Sequence, residues 1–331
     1  MVVRNEARHL RAAVERVLAQ DYAGPIECVI SVGPSSDGTD RVAAALAAGD
    51  QRITVVANPT GRTAVGLNAA LRACSPAYPI VVRVDGHALV PDGYISQAVT
   101  VLQETGAANV GGVMAAEGES PFECAVARAM TSPLGVGNAR FHNGGAPGSV
   151  DTVYLGVFRR SVLDEIGGYD ERFTRAQDYE LNVRIRDAGG LVWFTPELQV
   201  TYRPRSTVRS LATQYFEDGR WRWILTRQHP RSLRPRYVAA PIAVLGIVAG
   251  TAAGAAGWSL GWLAPTGYAA LVLGGSAVVG RTLPPRALLR LPVALATMHL
   301  AWGCGFLLSM VRPADRDSAH EAAVGLAMPP A

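Results

Sequence analysis

Lysine is absent from this chain of 331 residues, so all 31 of its basic residues are arginine. Cysteine is scarce, and the four thiols are Cys28, Cys74, Cys124 and Cys304. Their spacing fits neither a zinc site nor a disulfide framework, so we interpret them as free, mostly buried thiols. Charge is missing from two long stretches, residues 237–280 and 291–311, which contain no Asp, Glu, Lys or Arg.

These two uncharged stretches are long enough to cross a membrane. A spanning helix needs about 20 mostly apolar residues, so residues 237–280 accommodate two helices and residues 291–311 one. A Pro-Thr-Gly turn at 265–267 separates the first two. A buried helical hairpin would need a second large domain to cover it, and no residues remain for one. We therefore predict a membrane domain of about three transmembrane helices in residues 231–312, followed by a short flexible tail in residues 313–331.

The net charge of +4 and the isoelectric point of about 9.0 come largely from arginines beside the apolar stretches. They lie before the first span and between the second and third: Arg227, Arg231, Arg234, Arg236, Arg281, Arg286 and Arg290. By the positive-inside rule both groups face the cytoplasm. We predict a multi-pass protein of the cell (inner or plasma) membrane, with a cytoplasmic domain in residues 1–230 and the tail outside. Anionic membrane lipids fit this patch better than nucleic acid, which we do not expect as a partner.

Residues 1–230 alternate between β-branched runs and helical periodicity. The predicted strands are Val2–Val3, Glu27–Val32, Ile53–Ala57, Pro79–Val84, Ala108–Met114, Val150–Phe158, Val192–Phe194 and Gln199–Tyr202. Helices of about ten residues separate the earlier ones, which is a βαβ series and predicts an α/β fold with a mostly parallel sheet. Because Val2 and Val3 have the composition of a strand end, we also expect the natural reading frame to begin a few residues upstream.

The chain is organised around residues 79–87, a buried strand that ends in Asp85, Gly86 and His87. In open α/β sheets, ligands bind beyond the carboxyl ends of the strands. An acidic residue paired with a second donor there can hold a divalent cation, which in turn holds a diphosphate. The alternative is an ordinary Asp-Gly turn.

A second carboxylate, Asp178, precedes an amphipathic helix that Gly189 and Gly190 should end. Its position predicts an N-cap, which is compatible with a catalytic role. Further along, the aromatic and basic segment 214–223 lies just before the first span. It is either an interfacial helix or an element in which Gln214, Arg220 and Trp221 close over a diphosphate or an acceptor.

Six short motifs in a fixed order resemble the family 2 inverting glycosyltransferases. They are Arg-Asn-Glu near the start, Ser-Ser-Asp-Gly-Thr after the second strand, Gly-Leu-Asn-Ala-Ala in a helix, Asp-Gly-His after a strand, Gly-Gly-Tyr-Asp-Glu and Gln-Asp-Tyr-Glu-Leu. The Asp-Gly-His variant, the segment Ser-Pro-Leu-Gly-Val-Gly-Asn and the helices after residue 230 are most similar to the ExoA-type subgroup of succinoglycan biosynthesis. The resemblance covers residues 2–230 and implies a Rossmann-like GT-A fold.

The resemblance also implies roles for individual residues. Asp85 matches the aspartate of the metal and diphosphate site, with His87 where a second acidic residue often stands, and Asp178 matches the catalytic base. The segments that line the nucleotide-sugar pocket contain Glu6, Asp37, Arg62 and Asn68. Arg220 and Trp221 resemble a shortened Gln-x-x-Arg-Trp element. Val32 stands where many members carry a base-reading aspartate, so the resemblance does not imply a uridine donor.

The expected function is transfer of a sugar from a nucleotide-sugar donor, with Mn²⁺ or Mg²⁺ as cofactor, to a hydroxyl of a lipid-linked or polysaccharide acceptor. Asp178 would take the proton of that hydroxyl. Transfer to a polyprenyl phosphate is an alternative, because an ionised acceptor needs no base. A membrane-anchored nucleotide-sugar-binding or scaffold protein without turnover is an alternative of another class. A processive polysaccharide synthase is a fourth, disfavoured because three short-looped spans are few for a translocation channel.

Overall fold

The computed structural model describes residues 1–311. The strands in this range are β1 (Val2–Val3), β2 (Cys28–Val32), β3 (Ile53–Ala57), β4 (Ile80–Val82), β5 (Asn109–Ala116), β6 (Gly148–Ser149), β7 (Tyr154–Arg159) and β8 (Val192–Tyr202). The α-helices are α1 (Leu10–Leu18), α2 (Thr39–Gly49), α3 (Thr63–Ala73), α4 (Tyr94–Thr105), α5 (Pro121–Met130), α6 (Pro133–Val136), α7 (Arg140–Asn143), α8 (Arg160–Ile166), α9 (Gln177–Asp187), α10 (Val208–Gln228), α11 (Pro235–Ala255), α12 (Leu263–Val279), α13 (Pro285–Leu288) and α14 (Leu291–Val311).

The chain forms two compact units. Unit 1 comprises residues 1–115 and 144–202, and unit 2 comprises residues 116–143 and the chain from residue 203 onward. The predicted cytoplasmic domain, residues 1–230, is therefore wider than unit 1, because α5 and α10 pack with the apolar helices. The predicted boundary at residue 230 between a catalytic domain and a membrane domain stays a prediction. The predicted tail, residues 313–331, lies outside the described residues.

Unit 1 begins with the predicted βαβ series. β1, β2 and β3 form a parallel sheet in that order, with Val2 opposite Ser31 and Cys28 opposite Ile53. The apolar face of α1 covers this sheet and buries Leu10, Ala13, Val14 and Val17. Packing of alternating helices onto parallel strands places the carboxyl ends of β1 and β2 together, and the acidic turns that follow them meet there.

The second sheet of unit 1 has the strand order β4-β7-β5-β8-β6. β4 and β5 both pair antiparallel with β7, and β6 pairs antiparallel with β8. The fold class is thus confirmed as α/β, and the strands of the first sheet are all parallel. A cavity of about 150 Å³ is lined by residues of β2 and β4, including Val29 and Val81.

Unit 2 contains three helical segments that are long and apolar enough to cross a membrane: Pro235–Ala255, Ser259–Val279 and Pro285–Val311. Their number agrees with the three spans predicted from the sequence, but the turn predicted at residues 265–267 was wrong, because these residues lie inside α12 and the first two segments are separated at residues 256–258. Leucines, valines and tryptophans on the first two are exposed, as expected for surfaces that lipid would cover. The third segment, which contains α14, differs from the other two. In its most apolar stretch of 18 residues 39 % is buried inside the protein, whereas the corresponding share is 11 % in each of the other two segments.

Candidate active site

The centre of the candidate site is Arg83, directly after β4. Its Nη2 donates a hydrogen bond to Oδ1 of Asp85 at 3.1 Å, and its Nη1 donates to Oδ1 of Asp178. The Arg83 side chain is only 10 % exposed, whereas Asp85 and Asp178 are 28 % and 37 % exposed. The two carboxylates predicted from separate motifs therefore meet on one guanidinium and both still reach solvent.

Burial alone would lower the pKa of Arg83, but the charges of Asp178 and Asp85 outweigh it and hold that pKa well above its usual value. Tyr169, whose pKa is raised by burial, also contacts the guanidinium. Arg83 is therefore a permanent cation between the two acids. Its backbone amide donates to the carbonyl of Gly156 at 3.0 Å, which fixes the main chain at the end of β4.

Asn68 positions the Tyr169 loop. Its Oδ1 accepts from the amide of Tyr169 at 2.8 Å, and its Nδ2 donates to the carbonyl of Tyr169 at 2.8 Å and to Oε1 of Glu171 at 3.0 Å. Asn68 is 8 % exposed, so its amide is used inside the protein. Its contact with a nucleotide sugar stays a prediction, whereas its hold on the loop that carries Tyr169 is a structural finding.

The turn that carries Asp85 and His87 lies against the end of β1. Nδ1 of His87 is 2.7 Å from Oε1 of Glu6. Gly86 is buried, and a Cβ atom at this position would lie 2.6 Å from Cγ1 of Val3. Only glycine allows this close approach, which sets the turn with both predicted metal ligands beside Glu6.

Glu6 and Asp37 belong to a hydrogen-bonded network of loops. The amide of Glu6 donates to Oγ1 of Thr39 at 2.7 Å, and the amide of Ala7 donates to Oδ2 of Asp37 at 2.9 Å. Oδ1 of Asp37 accepts from the hydroxyl of Thr39 at 2.6 Å. Desolvation alone would raise the pKa of Asp37, but the hydrogen bonds from Thr39 and Ala7 together outweigh it and lower that pKa. The predicted pocket residues Glu6 and Asp37 are thus brought together.

Arg62 ties a loop to the start of α3. Its Nη2 donates to the carbonyl of Glu171 at 2.5 Å, and Glu171 also receives the amide of Asn68. Arg62 and Asn68 therefore hold the same loop. The Arg62 side chain is exposed, so its predicted contact with the donor remains compatible with this role.

Asp178 lies inside α9 and is not its N-cap as predicted. Ala176 occupies that position with a left-handed φ of 57°, and no side chain caps the helix. The prediction failed because the helix starts at Gln177, two residues earlier than an N-cap at Asp178 requires. The first turn of a helix still favours a negative charge. Gly189 and Gly190 end α9 as predicted, with Gly189 at a φ of +84°.

The residues predicted to contact the acceptor or diphosphate, Gln214, Arg220 and Trp221, all lie on α10 in unit 2. Oε1 of Gln214 accepts from Nε of Arg205 at 3.0 Å. Arg220 and Trp221 are buried, and Nη1 of Arg220 donates to both carboxylate oxygens of Glu217 at 2.8 and 2.9 Å. These side chains serve packing within unit 2, and their predicted contact with a ligand stays a prediction.

Within residues 1–311, no three His, Cys, Asp or Glu side chains form a group that could hold a metal by themselves. A site that relies on one or two carboxylates together with substrate phosphates does not need such a group. Asp85 is accessible enough for this role. The carboxylate of Glu6 at Nδ1 of His87 is the partner that a metal-bound histidine usually has. The donor set therefore fits a divalent cation that is held jointly with a diphosphate.

Arg83 and Tyr169 are the site residues that motif matching missed. A signal for Arg83 was present, since a charged residue stands between Val82 and Val84 in an otherwise apolar strand run. Such a residue is buried only with partners. The partner Asp178 is not identifiable from spacing, because it lies 95 residues further along the chain.

An α/β fold that brings Asp85 at a strand end and Asp178 in the first turn of α9 onto one arginine is that of a glycosyltransferase of the GT-A type. The chain belongs to glycosyl transferase family 2, whose model matches residues 1–167. Asp85 and His87 lie within this match, and Asp178 lies beyond it. The chain is 32 % identical over 307 residues to the succinoglycan biosynthesis protein ExoA of Rhizobium meliloti (strain 1021), with 91 % of each chain covered.

A solved structure similar to this chain is the mannosyltransferase PcManGT from Pyrobaculum calidifontis in complex with GDP-Man and Mn²⁺. Its TM-score is 0.58 at 19 % identity, and the match covers 94 % of this chain and 85 % of that chain. This likeness confirms the fold predicted from the sequence.

Proposed function

We propose that this glycosyltransferase moves a sugar from a nucleotide-sugar donor to a hydroxyl of a lipid-linked acceptor in exopolysaccharide or cell-envelope synthesis, with inversion at the anomeric carbon. The observation that carries the proposal is the pairing of Asp85 and Asp178 on Arg83. It brings a carboxylate suited to a metal diphosphate next to one suited to act as a base. The apolar helices support an acceptor that is held at the membrane.

Asp178 has the properties that a base needs in this reaction. Nη1 of Arg83 donates a hydrogen bond to it, and its side chain is 37 % exposed. An acceptor hydroxyl can therefore reach it, and Asp178 would take the proton as the oxygen attacks the sugar. One displacement with a base on the acceptor side inverts the configuration without a covalent enzyme intermediate.

Asp85, with His87 beside it, would hold Mn²⁺ or Mg²⁺ together with the donor diphosphate. The solved relative with GDP-Man and Mn²⁺ supports a divalent cation. The bound cation would neutralise the charge that develops on the leaving diphosphate. Glu6 would orient the imidazole of His87 through Nδ1. Asp37 and Arg62 are proposed to line the nucleotide-sugar side of the site.

The test is sugar transfer and donor hydrolysis in membranes that contain the protein, with a panel of nucleotide sugars and Mn²⁺. Asp178→Asn should lower turnover about 10²- to 10⁴-fold, because it removes the base. Asp85→Ala should abolish the metal-dependent reaction. Arg172→Gln is the matched control, since Arg172 pairs with Asp170 at an exposed position in the same unit.

The pattern of losses discriminates between the candidates. Loss in both variants supports a hydroxyl acceptor. Loss in Asp85→Ala alone points to a polyprenyl phosphate, since an ionised acceptor needs no base. Absence of turnover with every donor and with a lipid extract, in protein that is folded, would contradict the proposal and favour a non-catalytic nucleotide-sugar-binding protein.

A further inference from the structure

Arg83 occupies an unusual place for a permanently charged side chain. It is 10 % exposed, and its guanidinium faces Asp85 through Nη2, Asp178 through Nη1, and the phenol of Tyr169. A buried cation is stable only when it is paired, and these carboxylates supply the pairing. The cation therefore stands between the two groups that the proposed reaction uses separately.

The planar guanidinium has geometric consequences. Two different nitrogens hold the two carboxylates, so contact with one does not require contact with the other. A divalent cation at Asp85 would compete with Nη2 for the same carboxylate. The bond from Nη1 would continue to orient Asp178 when Asp85 is engaged elsewhere.

We propose that Arg83 is a positioning residue that competes with the divalent cation for Asp85 while it holds the base Asp178 in place. In the absence of donor its single positive charge offsets part of the negative charge of the two acids, which disfavours binding of a free cation. Together with a diphosphate, whose negative charge offsets that of the guanidinium, the cation displaces Nη2 from Asp85. Metal binding is thereby made dependent on the nucleotide. The inference rests on the proposed function, because it requires Asp85 to hold the cation.

A purely structural arginine would behave differently. Arg160 is the matched comparison, since it is also largely buried in unit 1 and donates to the carbonyls of Cys74 and Ser75. Its removal should lower the melting temperature without a change in metal binding. Removal of Arg83 should instead tighten metal binding, because a positive charge beside the ligand is lost.

The experiment is titration of the full-length protein in detergent with Mn²⁺, alone and with GDP or UDP, with free Mn²⁺ measured by electron paramagnetic resonance. For Arg83→Gln we expect Mn²⁺ alone to bind about 10-fold more tightly than to the natural protein. The dependence of Mn²⁺ affinity on nucleotide should shrink. Arg83→Lys keeps the charge but reaches only one carboxylate, so Mn²⁺ affinity should stay close to natural while kcat falls and donor KM changes little.

Each outcome bears on one proposal. Suppose that Mn²⁺ binds to the natural protein but not to Asp85→Ala, and binds to Arg83→Gln and Arg160→Gln with equal affinity. This result would overturn the competition inferred for Arg83 and would leave the proposed metal site unaffected. Absence of nucleotide-dependent Mn²⁺ binding in the natural protein would overturn the metal site, and the competition with it. If Arg83→Gln fails to fold, Arg83→Lys decides: an unchanged kcat would contradict the role in positioning Asp178.

Discussion

At the scale of single residues, the chemistry of the site depends on how close the chain can bring its acids. Asp85 and Asp178 would repel each other without Arg83 between them. Gly86 lets the same turn lie against Val3, where a side chain would collide. The guanidinium of Arg83 and the lack of a side chain at Gly86 therefore determine the positions of Asp85 and Asp178.

Replacement of Gly86 by alanine tests this dependence on close approach. The new Cβ would lie 2.6 Å from Cγ1 of Val3 and 3.2 Å from Cγ of Glu6, so the turn must move. A shift of about 1 Å at a catalytic group costs about 100-fold in turnover, which is the loss we expect. Gly49→Ala is the control, because nothing lies within 4 Å of a Cβ at that position. Equal activity of the two variants would show that the turn adapts without cost.

The acids of the site could be predicted from the sequence, whereas their connection could not. A polar turn after an apolar strand is enough to single out Asp85, and a polar start of an amphipathic helix singles out Asp178. Arg83 joins them through contacts between residues 95 positions apart, which local patterns do not encode. The N-cap assigned to Asp178 was wrong because Ala176 takes a left-handed conformation that its residue type does not indicate.

At the scale of elements, local periodicity predicted the strands better than their pairing. The parallel order β1-β2-β3 follows from short strands that alternate with helices. The antiparallel pairs of β4 and β5 with β7 depend on a strand from later in the chain. β8 was predicted as two strands because Pro196 and Glu197 interrupt the apolar pattern. The structure shows β8 as one continuous strand. β6 pairs with β8 only at Trp193 and Phe194, so this side of β8 is an edge at Pro196, and proline is tolerated at an edge.

The start of α5 carries a capping box whose strength should depend on pH. Oε2 of Glu123 accepts from the amide of Ser120 at 2.8 Å, and Oγ of Ser120 accepts from the amide of Glu123 at 3.3 Å. The hydrogen bond from Ser120 lowers the pKa of Glu123 below its ordinary value of 4.5. A lowered pKa means that the ionised form stabilises the fold above about pH 4.5, and that this stabilisation is lost as the pH falls through the lowered value.

Glu123→Gln keeps the shape and the acceptor oxygen but removes the charge. We therefore expect the natural protein to be more stable than the variant by about 0.5 kcal/mol at pH 7. The difference should vanish as the pH falls below the pKa of Glu123, which thermal unfolding at a series of pH values would show. Glu165→Gln, on an exposed surface of unit 1, should have no such pH-dependent difference. A constant difference between natural protein and Glu123→Gln at every pH would contradict the assignment.

At the scale of the whole molecule, the apolar helices differ in how much protein surrounds them. Of the described elements, α10 and α14 pack together most extensively. Glycines allow this, since a Cβ on Gly219 would collide with the backbone of Trp302, and one on Gly305 with the backbone of Phe216. Trp223 lies edge-on to Phe306 with ring centroids 5.3 Å apart. α14 is thus both an apolar helix long enough to span and the partner of a charged amphipathic helix.

The crossing of α14 is the feature of the predicted topology that a measurement can decide. If all three segments span and the arginines at 281–290 face the cytoplasm, the loop near residue 257 and the chain end lie outside. Alkaline phosphatase, which is active only outside the cytoplasm, should then be active when fused after residue 257 or 331 and inactive after residue 283. Replacement of Arg281, Arg286 and Arg290 by glutamine should weaken this pattern, because it removes the charges that set the orientation. Activity after residue 257 but not after residue 331 would mean that α14 does not cross. Its packing against α10 would then place both helices on the cytoplasmic side.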